Sequence, residues 1–243
     1  MTEMTIILLI ILLGSFIQGS SGFGFGLVSM GVLSIFLTLK DSMLIVLALT
    51  VILSSRIILK LWKYILLRDL YLILASALLG RILAFFFVAQ FREAQFMKTI
   101  LAFVLIGMVI YLYLKRKFSK NLDENKEKRF VPLISGSFGG FIGGAFAVGG
   151  HFFVAYFLSR YQDKRHYIAN LQLTFIVLNM MTLFAHGLNG DLNHDFYFYT
   201  GTGIVIVLIG VTLGLKLFYR LPTKIIQNIA FTIILVSGLN LMF

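Results

Sequence analysis

Residues 14–26 read GSFIQGSSGFGFG, and their reading decides the fold. They interrupt an apolar block that runs from 4 to 38. One helix crosses about 30 Å of hydrocarbon with about 20 residues, so this block is too long for one crossing and short for two. Glycine weakens continuous helix and opens backbone conformations closed to other residues. The Gly22–Gly26 cluster therefore predicts a broken, re-entrant hairpin. Such backbone is tolerated at membrane depth only where protein buries it or it lines a cavity.

The same pattern returns later as GGFIGGAFAVGGH over 139–151. At an offset of 125 residues, Gly14–Gly24 and Gly139–Gly149 share five identities in eleven positions. The block holding the second copy, 131–158, is again too short for two crossings, and its predicted break lies at Gly149–Gly150. Gly136, Gly140 and Gly144 form a small-xxx-small ladder, as do Gly139 with Gly143 and Gly210 with Gly214. Those glycines are assigned to close helix packing. The remaining apolar blocks, 42–63, 69–91, 95–114, 166–188, 195–218 and 222–243, each have the length of one crossing.

Composition agrees. The chain has 243 residues, of which 59% are hydrophobic and 13% charged. Soluble domains average about 45–50% apolar and about 25% charged residues, so a soluble globular domain is excluded. There are no cysteines, which removes disulfides, iron–sulfur clusters and thiolate zinc sites. Residues 1–20 carry Glu3, no Lys or Arg before the apolar run and no small-x-small cleavage site, so a retained membrane segment is expected rather than a signal peptide. The formal charge of +11 does not point to nucleic acid, because the basic residues lie between apolar blocks and report topology.

Suppose each glycine-broken block returns to the side it entered. Segments 56–68, 115–129, 160–165 and 216–224 then share one side and hold 17 of the 21 Lys and Arg residues. The positive-inside rule makes that side cytoplasmic. A single crossing by 131–158 would put two basic clusters on opposite faces. The expected fold is thus an all-α polytopic membrane protein of two inverted repeats, each a re-entrant hairpin plus three transmembrane helices. The first repeat is 1–114, with hairpin 4–38 and spans 42–63, 69–91 and 95–114. A cytoplasmic linker occupies 115–130, and the second repeat, 131–243, has hairpin 131–158 and spans 166–188, 195–218 and 222–243. Both termini are expected outside a cell membrane. Inverted repeats around interrupted helices are a transporter architecture, with the substrate near the midplane.

The GFGFG run at 22–26 after Gly19, the glycine run at 140–151 ending in His151, and two copies joined by a polar loop resemble the sulfite exporter TauE/SafE family. The resemblance covers essentially the whole chain. It implies transport of small organosulfur or sulfur oxyanions, such as sulfite or sulfonates. A proline often follows the second-half double glycine in this family, where this chain has His151.

The residues argue for an anion on their own terms. All ten acidic residues fall at block edges or in loops, whereas proton and sodium pathways use intramembrane carboxylates. Arg81 sits near the middle of block 69–91. An intramembrane charge costs at least about 2.5–3.5 kcal/mol, and a guanidinium suits bidentate contact with a sulfonate or carboxylate. The competing reading makes Arg81 a structural hub for carbonyls opened by a broken helix. After each break a half-helix begins with amides lacking intrahelical partners and a positive dipole end. Gln18, Ser20, Ser21, Gly22 and Gly24 would line one such tip, and Gly149, Gly150 and His151 the other. Phe23 and Phe25 fit either an apolar gate or ordinary packing.

Asn170, Gln172, Thr174 and Asn179 are polar residues within span 166–188; Asn170 and Gln172 join the expected substrate site, against interhelical hydrogen bonding as the alternative. His186, Asp191, His194 and Asp195 read as a solvated outer loop, since their spacing does not establish a metal site. No cofactor and no metal are expected.

With an inside-negative potential, moving one negative charge outward gains about 2.3 kcal/mol per 100 mV. Export therefore needs no coupling ion. The function expected is secondary transport of a small sulfur oxyanion, as export by alternating access. An anion channel or a proton-coupled anion importer is the alternative. An enzyme is not expected, because no buried acid–base or metal constellation is present. Expected partners are a small anionic substrate and membrane lipid, with no nucleic acid; a homo-oligomer is left open.

Overall fold

A computed structural model describes residues 2–90, 95–118 and 130–217 of the chain. The expected span 222–243 and most of the 115–130 linker lie outside the described residues. Among the described residues the fold is helical: α1 (Thr2–Ser21), α2 (Phe25–Phe36), α3 (Leu39–Leu61), α4 (Tyr71–Gln90), α5 (Gln95–Phe118), α6 (Phe130–Phe146), α7 (Gly150–Arg160), α8 (Lys164–Leu188) and α9 (His194–Leu217). Two short 3-10 turns, Trp62–Tyr64 and Leu67–Asp69, join α3 to α4. Among the described residues, five helices (α1, α3, α4, α8 and α9) are long and apolar enough to cross a membrane. The chain is a multi-pass membrane protein.

Both long blocks are broken where the glycine patterns stand. Between α1 and α2, Gly22 (φ 89°) and Gly24 (φ 113°) take left-handed backbone. The chain reverses there, so that a Cβ on Gly14 would stand 3.0 Å from both the Phe25 ring and Ser29 Oγ. The second break differs from the expectation in its pivot. The left-handed residue is Ala147 (φ 56°), while Gly149 is right-handed at φ −68°. Glycine is required at 149 for closeness: a Cβ would lie 2.0 Å from Gly139 O and 2.5 Å from Gly143 N.

The helices on either side of the two breaks pack along two matching seams. α1 packs along α9, and α6 packs along α4. On the first seam Gly203 meets Ile11, Gly210 meets Ser15 and Gly214 meets Gly19. On the second, Gly136 meets Ser76, Gly140 meets Ala77 and Gly144 meets Ala84. Without a water-driven hydrophobic force between helices in lipid, such close backbone approach supplies the packing attraction. Of the ladders assigned to packing from sequence, Gly136–Gly140–Gly144 and Gly210–Gly214 lie on these seams, whereas Gly139 faces Phe152 and Phe153 and Gly143 faces Arg81.

At the centre, α3 and α8 pack side by side and antiparallel. At one end, Lys40 of α3 bonds Asp191 beyond α8 at 2.7 Å, and Asn193 Nδ2 donates to Asp41 at 2.8 Å. At the opposite end, Arg160 and Tyr161 reach Asp69 at 3.2 and 2.9 Å, and Arg165 donates to Tyr64. Thr38 caps α3 by accepting from Asp41 N, and Asp163 caps α8 by accepting from Arg165 N.

Candidate functional site

The two breaks meet. A Cβ on Gly26, in the first turn of α2, would lie 2.3 Å from the carbonyl oxygen of Ala147 at the other break. Around this contact a small cavity of about 30 Å³ is lined by Gln18, Phe23, Gly24, Gly26, Leu27, Thr50, Arg81, Gly143, Ala147, Val148, Gly149, Gly150, His151, Phe153, Phe175 and Asn179. Much of the wall comes in pairs 125 residues apart: Gln18 with Gly143, Phe23 with Val148, Gly24 with Gly149, Gly26 with His151, and Thr50 with Phe175.

Arg81 is the cation of the wall. Its residue is 7% exposed. The side chain lies over the glycine face of α6, where a Cβ on Gly143 would come within 3.1 Å of Nη2. Nη1 donates to Thr182 Oγ1 at 3.0 Å and Nη2 to Asn179 Oδ1 at 2.8 Å, both on α8. Its Nε–H is buried without a partner. Among the described residues no carboxylate faces it. A buried guanidinium with neutral partners and an orphaned donor carries the desolvation cost of a charge without a counter-charge to offset it.

The α7 half-helix starts at the same wall with Gly149 as its N-cap and no side-chain cap. Its first amides and dipole present positive character to the cavity. His151 is buried there, its ring edge-on to Phe23 at 5.0 Å.

The opposite wall is neutral. Gln18 Oε1 accepts from Phe25 N at 3.3 Å, satisfying the first amide of α2. Gln18 Nε2 donates to Gln172 Oε1 at 3.1 Å, which also accepts from Ser54 Oγ at 2.8 Å. Gln172 Nε2 closes the relay on Gly22 O at 2.6 Å. Gln172 thus holds the first break from outside the cavity wall.

Of the residues expected from sequence, Gln18, Gly24, Arg81, Gly149, Gly150 and His151 come together on the wall. Ser20, Ser21, Gly22, Asn170 and Gln172 stand outside it. Ser20 Oγ donates to Ile17 O, and Ser21 Oγ lies 2.7 Å from both Ile17 O and Phe23 O, sharing its one hydrogen between them, so they close the end of α1. Asn170 lies at the Tyr64 end, accepting from Leu66 N and donating to Tyr64 O. Thr182 and Asn179 hold the guanidinium. Their spacing of three along α8 was the available signal, because it sets both on one helical face.

The 186–195 loop is more ordered than its sequence reading. His186 is buried, with Nδ1 2.7 Å from Asp191 Oδ2, and Asp191 also bonds Lys40 and Asn189. Burial pushes the Asp191 carboxyl up, but hydrogen bonds from Lys40, Asn189 and His186 outweigh it and hold the group at about 2. Asp69, at the other end, is likewise raised by burial and lowered further by Arg160 and Tyr161, leaving it below the ordinary carboxylate range. His194 and Asp195 remain exposed.

A family model described as Sulfite exporter TauE/SafE matches residues 6–241. No curated protein sequence and no solved structure matches the chain.

Proposed function

The chain belongs to the sulfite exporter TauE/SafE family, and we propose that it carries a small sulfur oxyanion, sulfite or a sulfonate, out of the cell by alternating access. The observation that carries this reading is Arg81: a buried guanidinium with an unpartnered Nε–H and no facing carboxylate, on a cavity where two broken helices meet. An oxyanion there supplies the missing counter-charge and accepts from Arg81, from Asn179 Nδ2 and from the start of α7. The guanidinium fork matches the oxygens of a sulfur oxyanion in a way a point charge does not.

The reciprocal packing of α1 on α9 and α6 on α4 supports two inverted repeats rocking about the α3–α8 pair. The polar clusters at Lys40–Asp191 and Asp69–Arg160 tie the halves at the two ends, and alternate breaking of such ties is what alternating access requires. The excess of Lys and Arg in segments 56–68 and 160–165 favours a cytoplasmic Asp69 end under the positive-inside rule, and the proposal adopts that orientation. Outward movement of an anion runs down the membrane potential, so no coupling ion is needed.

The test is flux in proteoliposomes. Sulfite efflux should be saturable, accelerated by an inside-negative potassium diffusion potential, and lost in Arg81→Met. Absence of sulfite and sulfonate flux at either polarity overturns the reading. Single-channel conductance from the same preparation reassigns the protein as an anion channel.

A further inference from the structure

The cavity is built from matched positions of the two halves but is charged on one side only. On the seams with the hairpins, Gly80 of α4 packs on Ser137 O as Gly210 of α9 packs on Leu12 O, so Arg81 of α4 corresponds to Val211 of α9. The α1–α9 seam, which lacks the cation, has Gln18 where the α6–α4 seam has Gly143. Gly143 leaves room for the guanidinium; Gln18 fills the equivalent space with a neutral amide. One N–H of the Gln18 amide donates to Gln172 Oε1 and its oxygen accepts from Phe25 N, which fixes the orientation of the side chain. Thr50, on the same wall, donates its hydroxyl to Val46 O.

We infer that this lop-sided wall makes the protein select oxyanions whose far end is uncharged and reject ammonium-bearing sulfonates of the same size, with Gln18 as a specificity-determining residue. The inference rests on the anion reading above. The anionic head sits at Arg81, Asn179 and the start of α7. The tail is then directed to Gln18, Thr50, Phe23 and Leu27, which offer apolar surface and hydroxyl or amide oxygens but no charge. Among the described residues no Asp or Glu lines the cavity. An ammonium brought there leaves water and gains no counter-charge, a cost that neutral oxygens do not repay. A methyl or hydroxyl tail incurs no such cost.

Three probes of near-equal size decide it in proteoliposomes at pH 7: ethanesulfonate, 2-hydroxyethanesulfonate and 2-aminoethanesulfonate, each competing against sulfite flux. The first two should compete within a few-fold of each other, and the amino compound at least about 30-fold more weakly, since a buried unpaired charge costs more than 2 kcal/mol. Gln18→Glu puts a carboxylate opposite Arg81 and should shift the amino-to-ethyl ratio by about tenfold or more toward the amine. Thr50→Asp adds the charge on the same wall without touching the Gln172 relay, and should shift the ratio the same way if Gln18→Glu does not assemble. Equal competition by all three probes in the unaltered protein overturns the inference, as does an unchanged ratio in a variant that still moves sulfite. Failure of every probe and of sulfite to move overturns the anion reading itself.

Discussion

The two helix breaks occupy matched positions and solve the same backbone problem with different chemistry. The first turns through two left-handed glycines and is held by an uncharged chain, Gln18 to Gln172 to Ser54 and Gly22. The second turns through a left-handed alanine and faces a cation, Arg81, held by Asn179 and Thr182. Ser54 and Asn179 are themselves 125 residues apart, one supporting the neutral side and one the charged side. The shared pattern builds the cavity, and the copies diverge in the charge of its wall. One break is tied by neutral amides; the other faces the guanidinium that the proposed function uses to bind an anion.

The comparison breaks most severely at the helix seams. A Cβ on Gly140 would stand 2.1 Å from Ala77 O, a backbone atom, whereas a Cβ on Gly210 meets first the movable Ser15 Oγ at 2.0 Å, with Leu12 O at 2.7 Å. Gly140→Val should cost about 3 kcal/mol or more and abolish monodisperse protein in mild detergent; Gly210→Val should be the milder of the pair. Equal behaviour on size exclusion and thermal unfolding would remove that asymmetry.

Next in size is the functional contrast between the walls. Arg81→Met should cut sulfite flux by about 100-fold, since a charge-assisted pair in a desolvated site is worth about 2–3 kcal/mol. Its midpoint of thermal unfolding should stay level or rise, because an apolar replacement removes a buried charge. A large loss of stability with proportionate loss of flux would make Arg81 a structural hub instead. Gln172→Leu should do the reverse. It strands Gly22 O and the Gln18 amide, so stability should fall by about 1–3 kcal/mol while flux per folded molecule changes less than tenfold.

Smaller still are the hinge residues. Gly22→Ala places a Cβ at φ 89° and 3.0 Å from Ile168 Cγ1, and should destabilise by about 1–2 kcal/mol. Ala147→Gly relieves left-handed strain of about 1–2 kcal/mol, about half of it offset by about 0.5–1 kcal/mol of added unfolded-chain freedom, so it should stabilise by under about 1 kcal/mol. Thermal unfolding in one detergent ranks both.

The smallest effect is the pH response of the Lys40–Asp191 tie. The Asp191 group is lowered from 3.8 to about 2, so its stabilisation is complete above pH 3.8 and is lost as pH falls toward 2. Partial exposure of Lys40 holds this to the order of 1 kcal/mol. Asp191→Asn should flatten the unfolding midpoint across that window and leave it unchanged in slope above pH 5.

How much was legible depended on the range of the interaction. Block lengths located α3, α4, α8 and α9 to within three residues at each end, because hydrocarbon thickness sets helix length and apolar composition marks it. The glycine ladders at Gly136, Gly140 and Gly144 and at Gly210 and Gly214 were readable as packing faces from spacing alone. The pivot at Ala147 was not. Nothing local marks an alanine for left-handed backbone; the surrounding hairpin imposes it, with Gly149 pressed against Gly139 O. Ser20, Ser21 and Asn170 had the right chemistry for a site, yet each had a nearer backbone partner.

From the sequence alone follow a membrane chain of apolar helices, a duplicated glycine-broken motif, an arginine near the middle of a span and carboxylates confined to the edges, since these depend on composition, period and repeat. Only the tertiary structure decided that the two breaks touch, that Arg81 reaches across to Asn179 and Thr182, and that Gln18 is tied up by Gln172. Those pairings join residues about 100 to 150 positions apart, and which of several polar side chains meets which is set by how the helices dock.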